Sequence, residues 1–153
     1  MGLLVDIGLV AIAFFGMEGV AWFTHKYVMH GFLWSWHKDH HDHKRTLFEV
    51  NDLFSVVFSI PAIVFIIIGL NYPSLYFLFP LGIGITFYGV FYFVFHDVIV
   101  HRRIKLPFKA RSDYMKRIMS AHYHHHTKHS REDCEAFGFL YAPKKYAPRR
   151  SKS

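Results

Sequence analysis

The chain is 153 residues long, one domain's worth, and 52% hydrophobic with 17 Phe and 9 Tyr, yet its net charge is +7. Apolar and basic character together imply segregation, with apolar stretches in lipid and basic ones outside it; a nucleic-acid binder is excluded, having no use for so much Phe and Ile. The single Cys134 excludes an intramolecular disulfide framework and a cysteine metal knuckle, whereas 13 histidines demand an explanation.

The first element is an apolar stretch over residues 3–23, interrupted only by Asp6 and Glu18. No Lys or Arg precedes it, so it lacks the basic start of a signal peptide and is expected to be a membrane span. A polar segment with histidines follows, over residues 25–52. From 53 to 95 there are 43 residues without Asp, Glu, Lys, Arg or His. That is too long for one crossing, which needs about 20 residues. Asn71, Tyr72, Pro73 and Ser74 supply a turn signal in the middle, so two spans are expected, at 53–70 and 75–95. Pro61 and Pro80 are expected to bend them, as membrane helices tolerate. A second polar segment, 96–153, ends in a basic tail at 144–153.

All 18 Lys and Arg, and all 13 His, fall within residues 25–52 and 96–153. Three crossings put both segments on one side, which the positive-inside rule makes cytoplasmic. The expected fold is therefore an all-α integral membrane protein. It has three transmembrane helices and a cytoplasmic, histidine-rich helical cap within a single membrane-embedded domain. Whether residues 95–103 and the helices after them add a fourth crossing stays open.

The histidines follow two spacings, each occurring twice. His25 and His30 form H-x4-H, and His37, His40 and His41 form H-x2-H-H. His96 and His101 repeat the first spacing, and His122, His125 and His126 repeat the second. The connections between the motifs differ, at 6 and 20 residues. Positions i, i+3 and i+4 share a helix face, so each H-x2-H-H set can point together. Residues five apart do not share a face on a regular helix, so each H-x4-H pair either serves two metals or sits on a distorted helix end. Neutral imidazoles suit iron, zinc and copper. Ten converging imidazoles exceed the about four to six ligands of one ion and suit two. His43, His124 and His129 lie outside both spacings and read as solvated groups or as partners of ligands. Metal-bound imidazoles usually donate their other N–H to an oxygen; Asp97, Asp52, Asp39 and Glu18 are the candidate partners. Glu18 lies seven residues before His25, nearly on the same face and deeper in the membrane, where an ionisable group invites a functional reading.

With these motifs in order, the chain resembles the membrane fatty acid hydroxylase superfamily, and its flanks resemble the bacterial β-carotene hydroxylase branch. The matching text is Gly16-Met17-Glu18, His25-Lys26-Tyr27-Val28-Met29-His30-Gly31, Trp34-Ser35-Trp36-His37 and Phe48-Glu49-Val50-Asn51-Asp52-Leu53. It continues with His96-Asp97 leading to His101-Arg102, and with Phe137-Gly138-Phe139-Leu140-Tyr141-Ala142-Pro143. Histidine at 43, 124 and 129 departs from the family's pattern.

The resemblance implies that the ten motif histidines hold two iron ions, for which zinc could substitute without redox activity. It implies an oxygenase that uses O2 and electrons from a ferredoxin-like donor. Such an enzyme would hydroxylate the ring of β-carotene to β-cryptoxanthin and then zeaxanthin, with ketolated carotenoids as further substrates. It also implies a bacterial cytoplasmic membrane. A carotenoid is about as long as the roughly 30 Å bilayer core; its end ring would meet the histidines at the interface after lateral entry through a cleft of Phe, Tyr and Met. The basic residues from Arg102 onward could dock an acidic electron donor or anionic lipid headgroups.

Fatty acid or sterol hydroxylases, desaturases and carotenoid ketolases share this chemistry. Desaturases are longer, with a third histidine box far downstream. A non-catalytic metal transporter or sensor is the reading from another class. Transporters place ligands near the membrane midplane, whereas residues 53–95 hold no Asp, Glu, Lys, Arg or His. A metalloprotease would need H-E-x-x-H, which is absent.

Overall fold

The computed structural model describes residues 2–42, 48–128 and 130–148. These residues are helical, with no strand among them, and three helices are long and apolar enough to cross a membrane: Leu3–Phe32, Val50–Asn71 and Leu78–Val100. The protein is an all-α membrane protein. Helix α1 (Leu3–Phe23) passes directly into a wider π-helical turn, Thr24–Phe32, which Gly31 ends with non-helical torsion angles. The chain then folds back into α2 (Trp34–His41). A short 3₁₀ turn at Val50–Asp52 leads into α3 (Leu53–Asn71). The expected reversal follows as a 3₁₀ turn at Pro73–Leu75, before α4 (Leu78–Tyr92) and its π-helical continuation Phe93–Val100.

Pro61 lies inside α3, as expected. Pro80 does not fall in mid-span. It occupies the first turn of α4, because that helix begins at Leu78, and there a missing N–H leaves no intrahelical bond unmade.

Helix α4 is the centre of the bundle and packs against both α1 and α3. Glycines allow the close approach, as small residues do where there is no water to drive association. A Cβ on Gly84 would run into the carbonyl of Val10 and the side chain of Ala13 on α1. On Gly82 it would stand 2.8 Å from the Ala62 carbonyl of α3. Gly84→Leu is therefore expected to destabilise the fold by at least the about 1–3 kcal/mol of an overpacked site. A thermal melt in detergent checks this, and an unchanged midpoint would refute the close crossing. Outward faces of the spans carry exposed apolar side chains such as Ile7, Phe15, Ile60, Ile67 and Phe87, the composition expected of a surface solvated by lipid.

The buried apolar cluster lies at one end of the bundle rather than between the spans. There α5 (Asp113–His126), capped by the Ser112 hydroxyl accepting from the Met115 N–H, packs Ile118 and Ala121 against Phe95, Phe139, Ala142 and Tyr146. Ile118, Phe95 and Phe139 each contribute about 1.5–3 kcal/mol by leaving water, and the alanines less. Together they hold the C-terminal segment under the spans, at the end where α1 finishes, α3 starts and α4 finishes.

Candidate metal centre

All ten motif histidines meet at that end of the bundle. Nine are buried, His41 and His125 completely, and His101 is half-buried. They form two groups of five: His25, His30, His37, His41 and His125 in one, and His40, His96, His101, His122 and His126 in the other. Within each group the donor atoms lie within 4.8 Å of one another.

The π-helical turns resolve the H-x4-H question in favour of a distorted helix end. Closing a turn with i→i+5 hydrogen bonds stacks residues five apart. The His101 N–H donates to the His96 carbonyl at 2.9 Å, and the Leu33 N–H to that of Val28 at 3.0 Å. The ring centres of His25 and His30 stand 5.2 Å apart, and those of His96 and His101 4.5 Å apart. Each pair therefore belongs to one group.

The H-x2-H-H sets share a face but divide between the groups. In α2, His37 and His41 join the first group while His40 crosses to the second. In α5, His122 and His126 join the second while His125 crosses to the first. The two groups are thus built alike: an i,i+5 pair from a π turn, an i,i+4 pair from one helix, and the i+3 histidine of the other.

Hydrogen bonding fixes which ring nitrogen faces inward. The Nδ1–H of His25 donates to the Phe137 carbonyl (3.2 Å), that of His30 to the Arg131 carbonyl (3.3 Å) and that of His125 to the Glu135 carbonyl (2.8 Å). His41 donates to the Lys128 carbonyl (2.9 Å) and His37 to Asn51 Oδ1 (2.7 Å). A neutral imidazole that donates from Nδ1 keeps a lone pair at Nε2. Yet Nε2 of His25 stands 3.1 Å from Nε2 of His37, and that of His30 3.1 Å from that of His125. In the second group, Nε2 of His40 is 3.2 Å from that of His96, and Nε2 of His101 is 2.8 Å from that of His122.

Facing lone pairs repel unless a cation stands between them. At a metal–nitrogen bond of about 2.1 Å, adjacent ligands stand about 3 Å apart and opposite ones about 4.2 Å. The close Nε2 pairs match the first spacing and the 4.8 Å limit within each group leaves room for the second, so the donor set fits a metal centre of the kind iron occupies. Burial agrees: it lowers the pKa of His37, His40 and His122 well below the ordinary value, with like-charged neighbours adding to it, and lowers that of His125 to about 3. These rings are neutral donors at neutral pH.

Of the expected carboxylate partners, only Asp97 touches a histidine, with Oδ2 at 3.3 Å from His96 Nδ1. Asp52 instead accepts from Arg103 Nη1 at 2.8 and 3.0 Å and from the Glu49 N–H. Asp39 accepts from the Val50 N–H. Glu18 takes no histidine but accepts from the Tyr88 hydroxyl (2.9 Å) and from the N–H groups of Phe139 and Leu140 (2.7 Å each). It ties the C-terminal segment to α1, two residues from the carbonyl that orients His25. Sequence reasoning missed Glu49, whose Oε2 accepts from His40 Nδ1 at 2.9 Å, and Asn51. Both stood in the family-like stretch around Phe48–Leu53, the one signal that could have found them. The carbonyl partners carry no signal in side-chain identity. His124 is exposed beside Tyr146 and in neither group, while His43 and His129 lie outside the described residues.

An apolar cavity of about 470 Å³ opens between the spans and ends on His25, His37, His96 and His122. Met17, Phe54, Phe58, Ile63, Ile85 and Phe93 are among its walls. Chemically, the arrangement can hold metal beside a largely apolar pocket, a setting suited to oxidation of a hydrocarbon.

A family model described as fatty acid hydroxylase matches residues 10–142. The chain is 44% identical over 142 residues to a β-carotene hydroxylase of Pseudescherichia vulneris, covering 93% of this chain and 80% of that one. It is 43% identical over 135 residues to a β-carotene hydroxylase of Pantoea ananas (88% and 76%). With the chloroplastic β-carotene hydroxylase 1 of Capsicum annuum it shares 34% identity over 131 residues, 84% of this chain and 41% of the relative. No solved structure matches it significantly.

Proposed function

The chain belongs to the fatty acid hydroxylase family, and from that membership we propose that this hydroxylating monooxygenase acts on carotenoid rings, converting β-carotene to β-cryptoxanthin and zeaxanthin. The single observation that carries the reading is the apolar cavity running from the lipid-exposed helices to the buried histidines. The ten histidines are its metal ligands, five for each of two iron ions. When bound, the iron pair supplies the activation of O2 by which one oxygen atom enters a ring C–H bond and the other leaves as water, at the cost of two electrons and two protons.

The protein's own residues do the rest. Outward Nδ1 contacts orient seven of the ten imidazoles (His25, His30, His37, His40, His41, His96 and His125) before metal arrives, which limits the reorganisation needed. The cavity's Phe, Met and Ile walls take the end ring out of lipid, orient it towards His25, His37, His96 and His122, and keep bulk water away. Exposed Lys105, Lys109 and Arg111 after α4 offer a basic surface to a ferredoxin-like donor or to anionic headgroups. By the positive-inside rule this face is cytoplasmic, in a bacterial inner membrane crossed three times.

Pigment analysis of a β-carotene-producing bacterium expressing the chain tests the reading. Cryptoxanthin and zeaxanthin are expected; untouched β-carotene with well-expressed, iron-loaded protein would defeat the carotenoid assignment. Gly89 gives a second handle, because it lines the cavity and a Cβ there meets nothing within 4 Å. Gly89→Phe is expected to lower conversion by at least about tenfold while leaving iron content unchanged. Parent-like conversion would place the ring elsewhere.

A further inference from the structure

The two histidine groups match in topology but not in what stands behind them. In the first group, every Nδ1 described above faces a neutral oxygen: the carbonyls of Phe137, Arg131, Lys128 and Glu135, and the amide of Asn51. In the second, His40 donates to the Glu49 carboxylate and His96 faces that of Asp97.

One guanidinium joins those two carboxylates. Arg103 Nη2 donates to Glu49 Oε2 at 2.7 Å, and its Nε lies 3.2 Å from Asp97 Oδ1. Nη1 takes Asp52 in both oxygens. The Arg103 side chain is 13% exposed. Its approach depends on Arg102, whose left-handed backbone (φ 53°) closes the end of the α4 extension and lets the Arg103 N–H reach the Asp97 carbonyl at 3.0 Å. Three carboxylates against one guanidinium leave excess negative charge behind His40 and His96 of the second group.

We propose that Glu49 and Asp97, clamped by Arg103, make the two metal positions electronically unequal, so that the second group holds its ion more tightly in the oxidised state. They are positioning residues, acting through His40 and His96. An imidazole whose N–H is drawn towards a carboxylate is a stronger donor than one bonded to an amide oxygen, and stronger donation favours the higher charge on the ion. This rests on the reading of ten histidines as ligands for two ions. With the clamp in place, electrons delivered one at a time enter at the first group before the second.

The test is an iron titration and a stepwise reduction of the full-length protein in detergent, followed by Mössbauer spectroscopy. The parent is expected to bind two irons per chain and show two distinguishable sites reduced at different potentials. Glu49→Gln and Asp97→Asn are each expected to raise the lower potential, leave the higher one, and weaken one iron site about 10- to 100-fold. Asn51→Asp puts a carboxylate behind His37 in the first group, and is expected to lower the higher potential and bring the two steps together. That variant decides the matter if the other two fail to fold. Two irons with one common potential in the parent, or an Asn51→Asp protein with both potentials unmoved, would overturn the proposal. A single iron per chain in the parent would instead defeat the two-ion reading beneath it.

Discussion

Replacing either crossing histidine, His40 or His125, with Ala is expected to end carotenoid hydroxylation, whereas His124→Ala leaves it at the parent level. Each crossing residue is buried, and each supplies the i+3 donor that its own helix cannot spend on its own group. Removing His40 takes a donor nitrogen from the second group, leaves Glu49 without its Nδ1–H and opens a gap of one imidazole beside His96. The loss should exceed the roughly 10- to 100-fold that follows when only an outer partner is removed. His124 stands in the same helix, one residue before His125, but is exposed and belongs to neither group. Pigment chromatography of cells expressing the three variants, with bound iron measured on the purified proteins, checks the claim. Zeaxanthin from a His40→Ala protein, or its loss in His124→Ala, would contradict the grouping.

Glu18→Ala is expected to have the largest effect on stability of any single change outside the histidines. The carboxylate accepts three hydrogen bonds, from Tyr88 on α4 and from the N–H groups of Phe139 and Leu140. Hydrogen bonds to a charged acceptor contribute about 1.5–3 kcal/mol each, and the freed donors are partly buried with no other acceptor in hydrogen-bond contact among the described residues. A loss of about 5 kcal/mol is expected, lowering the melting midpoint by about 2–4 °C per kcal/mol. Phe137, two residues before Phe139, would also loosen its carbonyl from His25 Nδ1, so iron content should fall with stability. Glu18→Gln retains an acceptor oxygen for the two amides and should lie between the two. A melt and an iron assay that leave Glu18→Ala indistinguishable from the parent would show that the segment is held some other way.

The spans, their reversal at Asn71–Ser74, the all-α class and the membership of the histidine set were legible from composition and spacing alone. Long uncharged runs have only one stable solution in lipid, and repeated H-x4-H and H-x2-H-H text is too regular to arise from surface composition. The H-x4-H spacing left two answers open, two metals or a distorted helix end, and the π-helical turns chose the second. What spacing could not decide was the sharing of ligands. Helix periodicity places His37, His40 and His41 on one face, but which of them turns to which neighbour depends on how α2 and α5 lie across the π turns. The partners behind the histidines were equally hidden. Glu18 looked like a candidate by its distance along the helix, yet it serves the C-terminal segment. Glu49 and Asn51 do the work expected of Asp52 and Asp39, while Asp52 turns to Arg103 and Asp39 to the Val50 N–H.

The sequence by itself therefore determined which residues would be gathered, and in what solvent, because those follow from hydrophobicity and periodicity along one chain. The tertiary structure decided how they are divided, which nitrogen of each ring faces inward, and where negative charge collects. Those depend on backbone carbonyls and side chains up to 112 residues apart, such as His25 and Phe137, and no local pattern records such distances.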